Sequence, residues 1–266
     1  MKAYRELVKY VLDKGKLKTV RNTQSFSVSG TQLKFDAKDI PLLNGRKIFY
    51  TGVFGEFAAF MHNAKTVQEF KDFGCNYWDT WGDEYGNINL DYINQLHRTI
   101  TYHEQETLSQ LDILKINLRN FPSSRRHIIN LWVPENVVNE ELSLPCCHYS
   151  YQFIVTNNKL DMIWNQRSAD TMIGIPSDML LAWLWVQCLC KELGFEPGEV
   201  TMNFGDTHIY KDHMTNAHKY VEEIRPRVKP IAYLLDNFKS IETFDPSDVF
   251  VQVYEPHEPI KFDLIV

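Results

Sequence analysis

Between Ser177 and Leu193 the chain carries Met179, Leu180, Leu181, Trp183, Leu184, Trp185 and Val186 with almost no polar position between them. A helix that is apolar on nearly every side has no face to give to water, so other elements must surround it. The segment is therefore central to the fold, and Gly194 ends it. It is also too short for a bilayer, since no uninterrupted apolar run reaches the roughly 18 residues that a membrane span needs. At 266 residues with 44% hydrophobic content, the chain can bury a large core around such a helix. No Pro/Gly/Ser-rich linker or abrupt charge shift divides it, so a single domain over residues 1–266 is expected.

The remaining periodicities describe what surrounds the helix. Residues 3–13 place Leu7, Val8, Val11 and Leu12 on one helical face, and their many charges argue against a signal peptide. Ser25 to Phe35 alternates around Gly30 and reads as a bent strand or a hairpin. Gly52 to His62 reads as a buried helix and Val67 to Phe73 as a short helix stopped by Gly74. An aromatic loop, NYWDTWGDEYGNINLDY, follows. A helix is expected over Glu106 to Asn120 and a strand over Arg126 to Trp132. Tyr149–Thr156 and Leu160–Gln166 form a hairpin about Asn157–Asn158. A strand over Val200–Tyr210, a helix over Asp212–Glu223 and a late strand at Phe250–Val253 complete an α+β class: a mixed sheet packed by helices.

The formal charge of −6 argues against a general nucleic-acid surface, and nothing in the sequence calls for a membrane. Five cysteines form no disulfide framework, which points to reduced thiols and a cytoplasmic compartment.

Chemistry concentrates between Leu144 and Asp178. Cys147 lies beside His148, although consecutive strand side chains point apart, and a packed cysteine is the ordinary alternative. Gln166, Arg167, Ser168 and Asp170 follow a strand. The arginine can grip a phosphate through two parallel bonds, or merely pair with Asp170. Arg125 and Arg126 form either a solvated edge or an anion site for a partner subunit. His208 and Tyr210, two apart, share a strand face and can hold a sugar hydroxyl. His208 and His213 have poor spacing for a metal, and no metal is expected. Glu56 sits inside the apolar run VFGEFAAFM, where a carboxylate is costly unless hydrogen-bonded or functional. Trp78 and Trp81 either stack a flat heterocycle or pack in the core.

In this order, VRNTQSFSVSGTQLKF, GEFAAF, YWDTWGDEYG, Tyr92, SSRR, LPCCHYSYQF, NQRSAD, GIPSD and GDTHIY resemble the thymidylate synthase family along almost the whole chain. The resemblance implies roles residue by residue. Cys147 adds to carbon 6 of a pyrimidine. Arg21, Arg167 and Ser168 hold the nucleotide phosphate, with Arg125 and Arg126 supplied by the other subunit of a homodimer. His208 and Tyr210 take the deoxyribose 3′-hydroxyl, while Gln166 and His148 line the base. Asp170, Trp78 and Trp81 contact the cosubstrate 5,10-methylenetetrahydrofolate, and Leu144 joins the two indoles in an apolar wall. Glu56 orders water for proton transfers, and Tyr92 assists removal of the carbon 5 proton.

Three positions depart from the family pattern. Asp178 stands where an asparagine reads the uracil edge. A carboxylate accepts from the cytosine amino group, and from ring position 3 once that nitrogen is protonated. The chain then looks most like the deoxycytidylate hydroxymethylase branch, found in viruses that modify their DNA; the alternatives are a dCMP 5-methyltransferase, a dUMP-using thymidylate synthase and a non-catalytic nucleotide- or RNA-binding relative. The plainer alternative is that Asp178 complements a helix N-terminus. Cys146 replaces the usual proline before the nucleophile, and VRNTQSF lacks the usual glycines after Arg21.

Overall fold

The computed structural model describes residues 2–20, 23–102, 106–225 and 227–265. Arg21 lies outside them. One six-stranded sheet runs in the order β1 (Lys16–Val20), β2 (Thr23–Asp36), β8 (Glu196–Tyr210), β7 (Lys159–Asp170), β6 (His148–Thr156), β5 (Ile128–Asn130). All neighbours are antiparallel except β7 and β8. A parallel pair needs a crossover, and helix α7 (Gly174–Leu193) supplies it. Every α7 residue from Met179 to Val186 is buried, as its composition demands. Helix α2 (Tyr50–Met61), buried from Gly52 to Met61, packs on α7, with Phe57 set edge-on to Trp185 at 5.8 Å. The class is α+β in a single domain.

The other helices are α1 (Lys2–Lys14), α3 (Val67–Asp72), α4 (Asp91–Asn94), α5 (Gln110–Asn120), α6 (Pro134–Val138) and α8 (Met214–Glu222). Two small hairpins, β3 (Thr99–Tyr102) with β4 (Glu106–Ser109) and β9 (Ile231–Leu234) with β10 (Val249–Gln252), stand apart from the main sheet.

Strand β7 separates the two faces of the sheet by alternation. Leu160, Met162, Trp164 and Gln166 are buried, whereas Ile163 and Asn165 are half-buried and Arg167 is exposed. Gln166 reaches α7, so the other set faces away from it. On that outer face an amide ladder crosses four strands. Gln32 donates to Asn203 (2.9 Å), Asn203 to Asn165 (3.0 Å) and Asn165 to Ser150 (3.1 Å).

The β6–β7 hairpin turns on Asn157 and Asn158, with φ of 52° and 63°. These are the two left-handed positions of a tight turn whose twist suits a hairpin. Beyond it the register holds to the far end, where His148 pairs with Gln166 and Ser150 with Asn165, leaving Tyr149 as a bulge.

Several elements differ from the sequence reading. Glu106 to Ser109 is a strand, and the helix begins only at Gln110, because Ser109 and Asp112 form a reciprocal cap there. Ser25–Phe35 is part of one strand: Gly30, at φ +68°, bends it without changing the register with β8. The Arg126–Trp132 strand shrinks to Ile128–Asn130, and Asp212 lies in a 3-10 turn before α8. The late strand ends at Gln252, with Val253 at φ +56°. Helix α7 starts at Gly174, so Asp178 is its fifth residue rather than its cap.

Candidate active site

The hairpin brings the chemistry of the central stretch together at its open end. The backbone N–H of Arg167 donates to the Cys147 carbonyl at 2.8 Å, and the guanidinium donates from Nε to the Cys146 carbonyl (2.7 Å) and from Nη2 to the Pro145 carbonyl (3.0 Å). The same group stacks over Trp132, 5.6 Å from the ring centre. Arg167 thus pins the loop that carries both thiols. A Cβ at Gly205 would meet the Arg167 carbonyl at 2.8 Å, so glycine is what lets β8 run so close here. A cavity of about 540 Å³, lined among others by Trp132, Tyr149, Asn165 and Asn203, opens beside Arg167 on the outer sheet face.

The two thiols differ. Cys146 is buried, its Sγ 3.8 Å from the Leu131 carbonyl, and burial pushes its thiol far up. Cys147 is partly exposed. Its thiol too stands above the ordinary value: burial raises it, Arg167 pulls it down, Asp178 raises it again, and a hydrogen bond from Tyr92 lowers it. The Tyr92 hydroxyl also accepts from the Cys147 backbone N–H at 2.5 Å.

His148 is buried between Tyr92 (ring centres 4.2 Å) and Trp164 (4.3 Å), with Nδ1 2.5 Å from the Tyr151 hydroxyl. Burial lowers its pKa to about 3. A ring that stays neutral and packed suits positioning rather than proton exchange near neutral pH.

Gln166 has a forced orientation. Trp164 Nε1, which can only donate, gives its proton to Gln166 Oε1 at 2.9 Å. The amide nitrogen must then turn the other way, where it donates to Asp178 Oδ2 (2.8 Å) and to the Ser168 carbonyl (2.9 Å). Asp178 is 8% exposed and sits too far into α7 to cap it. Burial raises its pKa to about 8 against the lowering effect of Gln166, with Glu56 and Asp170 adding repulsion.

That shift has a measurable consequence. Between about pH 4 and pH 8 the folded chain holds a proton on Asp178 that the unfolded chain releases, so stability falls as pH rises through this window. Each pKa unit corresponds to about 1.4 kcal/mol. Asp178→Asn is therefore expected to raise the denaturant midpoint of the ligand-free protein more at pH 8.5 than at pH 5. An equal change at both pH values would show that Asp178 does not titrate as stated.

A second carboxylate is held similarly. Glu56, 7% exposed in α2, accepts from Trp78 Nε1 at 2.8 Å and from the Tyr77 hydroxyl at 2.9 Å. Burial lifts it to about 7, although both donors act to lower it. Trp78 is nearly core, packed against Phe70 (5.6 Å) and Phe60 (6.4 Å); Trp81, tilted against it at 5.1 Å, and Leu144 are only partly buried. Of the residues expected to form an apolar wall, Trp81 and Leu144 thus stay partly accessible, whereas Trp78 is taken up by the core. Asp170 Oδ1 accepts from the Met172 and Ile173 backbone N–H groups (2.8 and 3.3 Å), bracing the turn into α7.

His208 Nδ1 lies 3.1 Å from Asp206 Oδ1, with its ring edge-on to Tyr210 at 5.0 Å. Asp206 is held well below the usual carboxylate range, first by His208 and then by Lys18 and Ser27, against the opposing effect of burial. The Arg125 and Arg126 side chains are exposed and, among the described residues, have no hydrogen-bond or ion-pair partner. Ser168 lies on the same strand as Arg167, paired with Asp206.

Tyr77, Tyr151, Trp164 and Asp206 escaped the sequence reading. Only Tyr77 had a signal, its place beside Trp78, and nothing in the sequence distinguished it from the other aromatics of that loop.

Comparison with known proteins agrees along the whole length. A family model described as thymidylate synthase matches residues 2–266. The thermostable thymidylate synthase A from Bacillus subtilis superposes with a TM-score of 0.92 at 26% identity, covering 100% of this chain and 99% of that one.

Proposed function

The chain belongs to the thymidylate synthase family of one-carbon transferases, and on that premise we propose that it transfers a one-carbon unit to carbon 5 of dCMP, giving 5-hydroxymethyl-dCMP. The observation that carries the choice of base is Asp178, an acid aimed by Gln166 instead of spent on its helix end. Methylenetetrahydrofolate supplies the one-carbon unit.

Cys147 adds to carbon 6, which makes carbon 5 nucleophilic and divides one difficult step into easier ones. Arg167 favours the thiolate and, with Ser168 and Arg21, binds the phosphate. His208 and Tyr210 hold the 3′-hydroxyl, and His148 packs beneath the base. Tyr92, already at Cys147, assists loss of the carbon 5 proton. Trp78, Trp81, Leu144 and Asp170 orient the folate. Asp178 arrives with a proton, which passes to ring position 3 as the adduct becomes more basic, so that the carboxylate stabilises the cation it creates.

A second reading is favoured by the same burial. A neutral acid can also accept from the uracil N–H and donate to the uracil oxygen, which would make dUMP the substrate. Mass analysis of products from dCMP and dUMP, each with methylenetetrahydrofolate, decides between the two. Faster turnover of dUMP would end the cytosine reading, and 5-methyl-dCMP as product would end hydroxymethylation.

Arg125 and Arg126, whose side chains have no partner among the described residues, and the open sheet face support a homodimer with arginines shared between sites. Refolding Cys147→Ser together with Arg126→Ala should then recover up to about a quarter of wild-type activity, since a mixed dimer keeps one whole site. No recovery would refute the sharing. The five free thiols suit a cytoplasmic setting.

A further inference from the structure

We infer that Tyr77 is a positioning residue that fixes Glu56 to activate water, and so decides between the hydroxymethyl and methyl products. This rests on the dCMP hydroxymethylation reading above.

The geometry is specific. Each oxygen of Glu56 receives one donor, Oε1 from Trp78 and Oε2 from Tyr77. Each therefore keeps room for one more hydrogen bond. The indole N–H can only donate, so Trp78 offers nothing to a water molecule. The Tyr77 hydroxyl donates to Glu56, with the Gly52 carbonyl a longer 3.4 Å away and the Cys75 thiol alongside, and its oxygen can still accept, so a water can bridge the phenol and the carboxylate. Tyr77 adjoins Trp78 in sequence and thus puts one polar atom into an otherwise apolar aromatic edge.

Once the bond from the one-carbon unit to the folate nitrogen has broken, with tetrahydrofolate still in the site, carbon 5 of the Cys147 adduct carries an exocyclic methylene. On the hydration route, water oxygen bonds to that methylene carbon and its proton goes to the Glu56 carboxylate. The electron pair moves into the ring, the carbon 5–carbon 6 double bond re-forms, and the carbon 6–sulfur bond breaks to release the Cys147 thiolate. Nothing is oxidised. On the competing route a hydride from tetrahydrofolate takes the place of water, and the folate is oxidised by two electrons to dihydrofolate. Glu56 aids the first route only while ionised. The groups that face it and bear on its charge are Tyr77 and Cys75 from the loop after α3, Asp178 from α7 and Tyr151 from β6. A phenol donor favours the ionised form, and phenylalanine removes it without changing shape.

The test compares wild type with Tyr77→Phe on dCMP and methylenetetrahydrofolate, reading the ratio of hydroxymethyl to methyl product by mass and dihydrofolate by absorbance. A ratio does not depend on how much protein is folded. In parallel, ligand-free protein labelled with carbon-13 at the glutamate carboxyl is titrated. Glu56, near 7, is identified by its loss in Glu56→Gln. The expected result is a fall in the ratio of about tenfold or more, with an upward move of that midpoint. An unchanged ratio or an unmoved midpoint, with wild type still making 5-hydroxymethyl-dCMP, overturns the role of Tyr77 alone. Wild-type protein that makes only a methyl product, or uses only dUMP, overturns the hydroxymethylation reading and the Tyr77 assignment together.

Discussion

Cys147→Ser is expected to reduce turnover by about 10⁴-fold or more, the scale seen when a covalent nucleophile is removed. Serine keeps the size of the side chain, but its hydroxyl is far less acidic than a thiol, and the Arg167 guanidinium is held in place by the Cys146 and Pro145 carbonyls whatever occupies position 147. The stabilising cation stays and only the reactive atom changes. Cys146→Ser should cost far less, because that thiol is buried against Leu131 and has no route to a ring stacked in the site. Single-turnover product formation, with mass analysis of the denatured protein for a nucleotide adduct, reads both. A Cys147→Ser protein within tenfold of wild type would remove covalent catalysis. An adduct located on Cys146 would move it.

Asp178→Asn should reverse the base preference, lowering kcat/KM for dCMP by a factor on the order of 10²–10⁴ and raising that for dUMP above it. The orientation of the new amide is not open. Trp164 fixes Gln166 so that its nitrogen faces position 178, and two amide nitrogens cannot face each other as donors. The oxygen of the introduced asparagine must therefore turn toward Gln166, which sends the nitrogen of that amide into the pocket as a donor. A uracil adduct builds negative charge on its ring oxygen, which such a donor stabilises and a carboxylate repels. A cytosine adduct instead gains a proton at ring position 3 and loses the anion that held it. Steady-state kinetics with both nucleotides checks this. A variant that loses dCMP activity and gains none on dUMP would show that position 178 does not read the base.

Much of this arrangement was legible in the residues. The all-round apolar run from Met179 to Val186 could only be central, and Asn157–Asn158 between alternating strands could only be a tight turn. The buried Glu56 announced a hydrogen-bonded carboxylate. What escaped was set by partners distant in sequence. Glu106–Ser109 carries no alternation strong enough to outvote the helix that follows, although the Ser109–Asp112 cap marks the true start. The bulge at Tyr149 has no residue signature. The aim of Gln166 comes from Trp164, two residues away on the same buried face, and no spacing rule separates that indole from an ordinary core tryptophan. Arg21, which the phosphate reading needs, falls outside the described residues.

The aim of Gln166 thus depends on a place with no chemistry of its own. Gln166 and the asparagine turn lie at opposite ends of β7, roughly 25 Å apart for a strand of that length. One residue added at Asn157–Asn158 would shift the hairpin by half its repeat, turning Asn165 inward and Gln166 outward. Arg167 would turn inward in the same slip, so the loop that carries both thiols would lose its pin together with the amide that faces Asp178. That small corner constrains the site as strictly as any side chain that lines it.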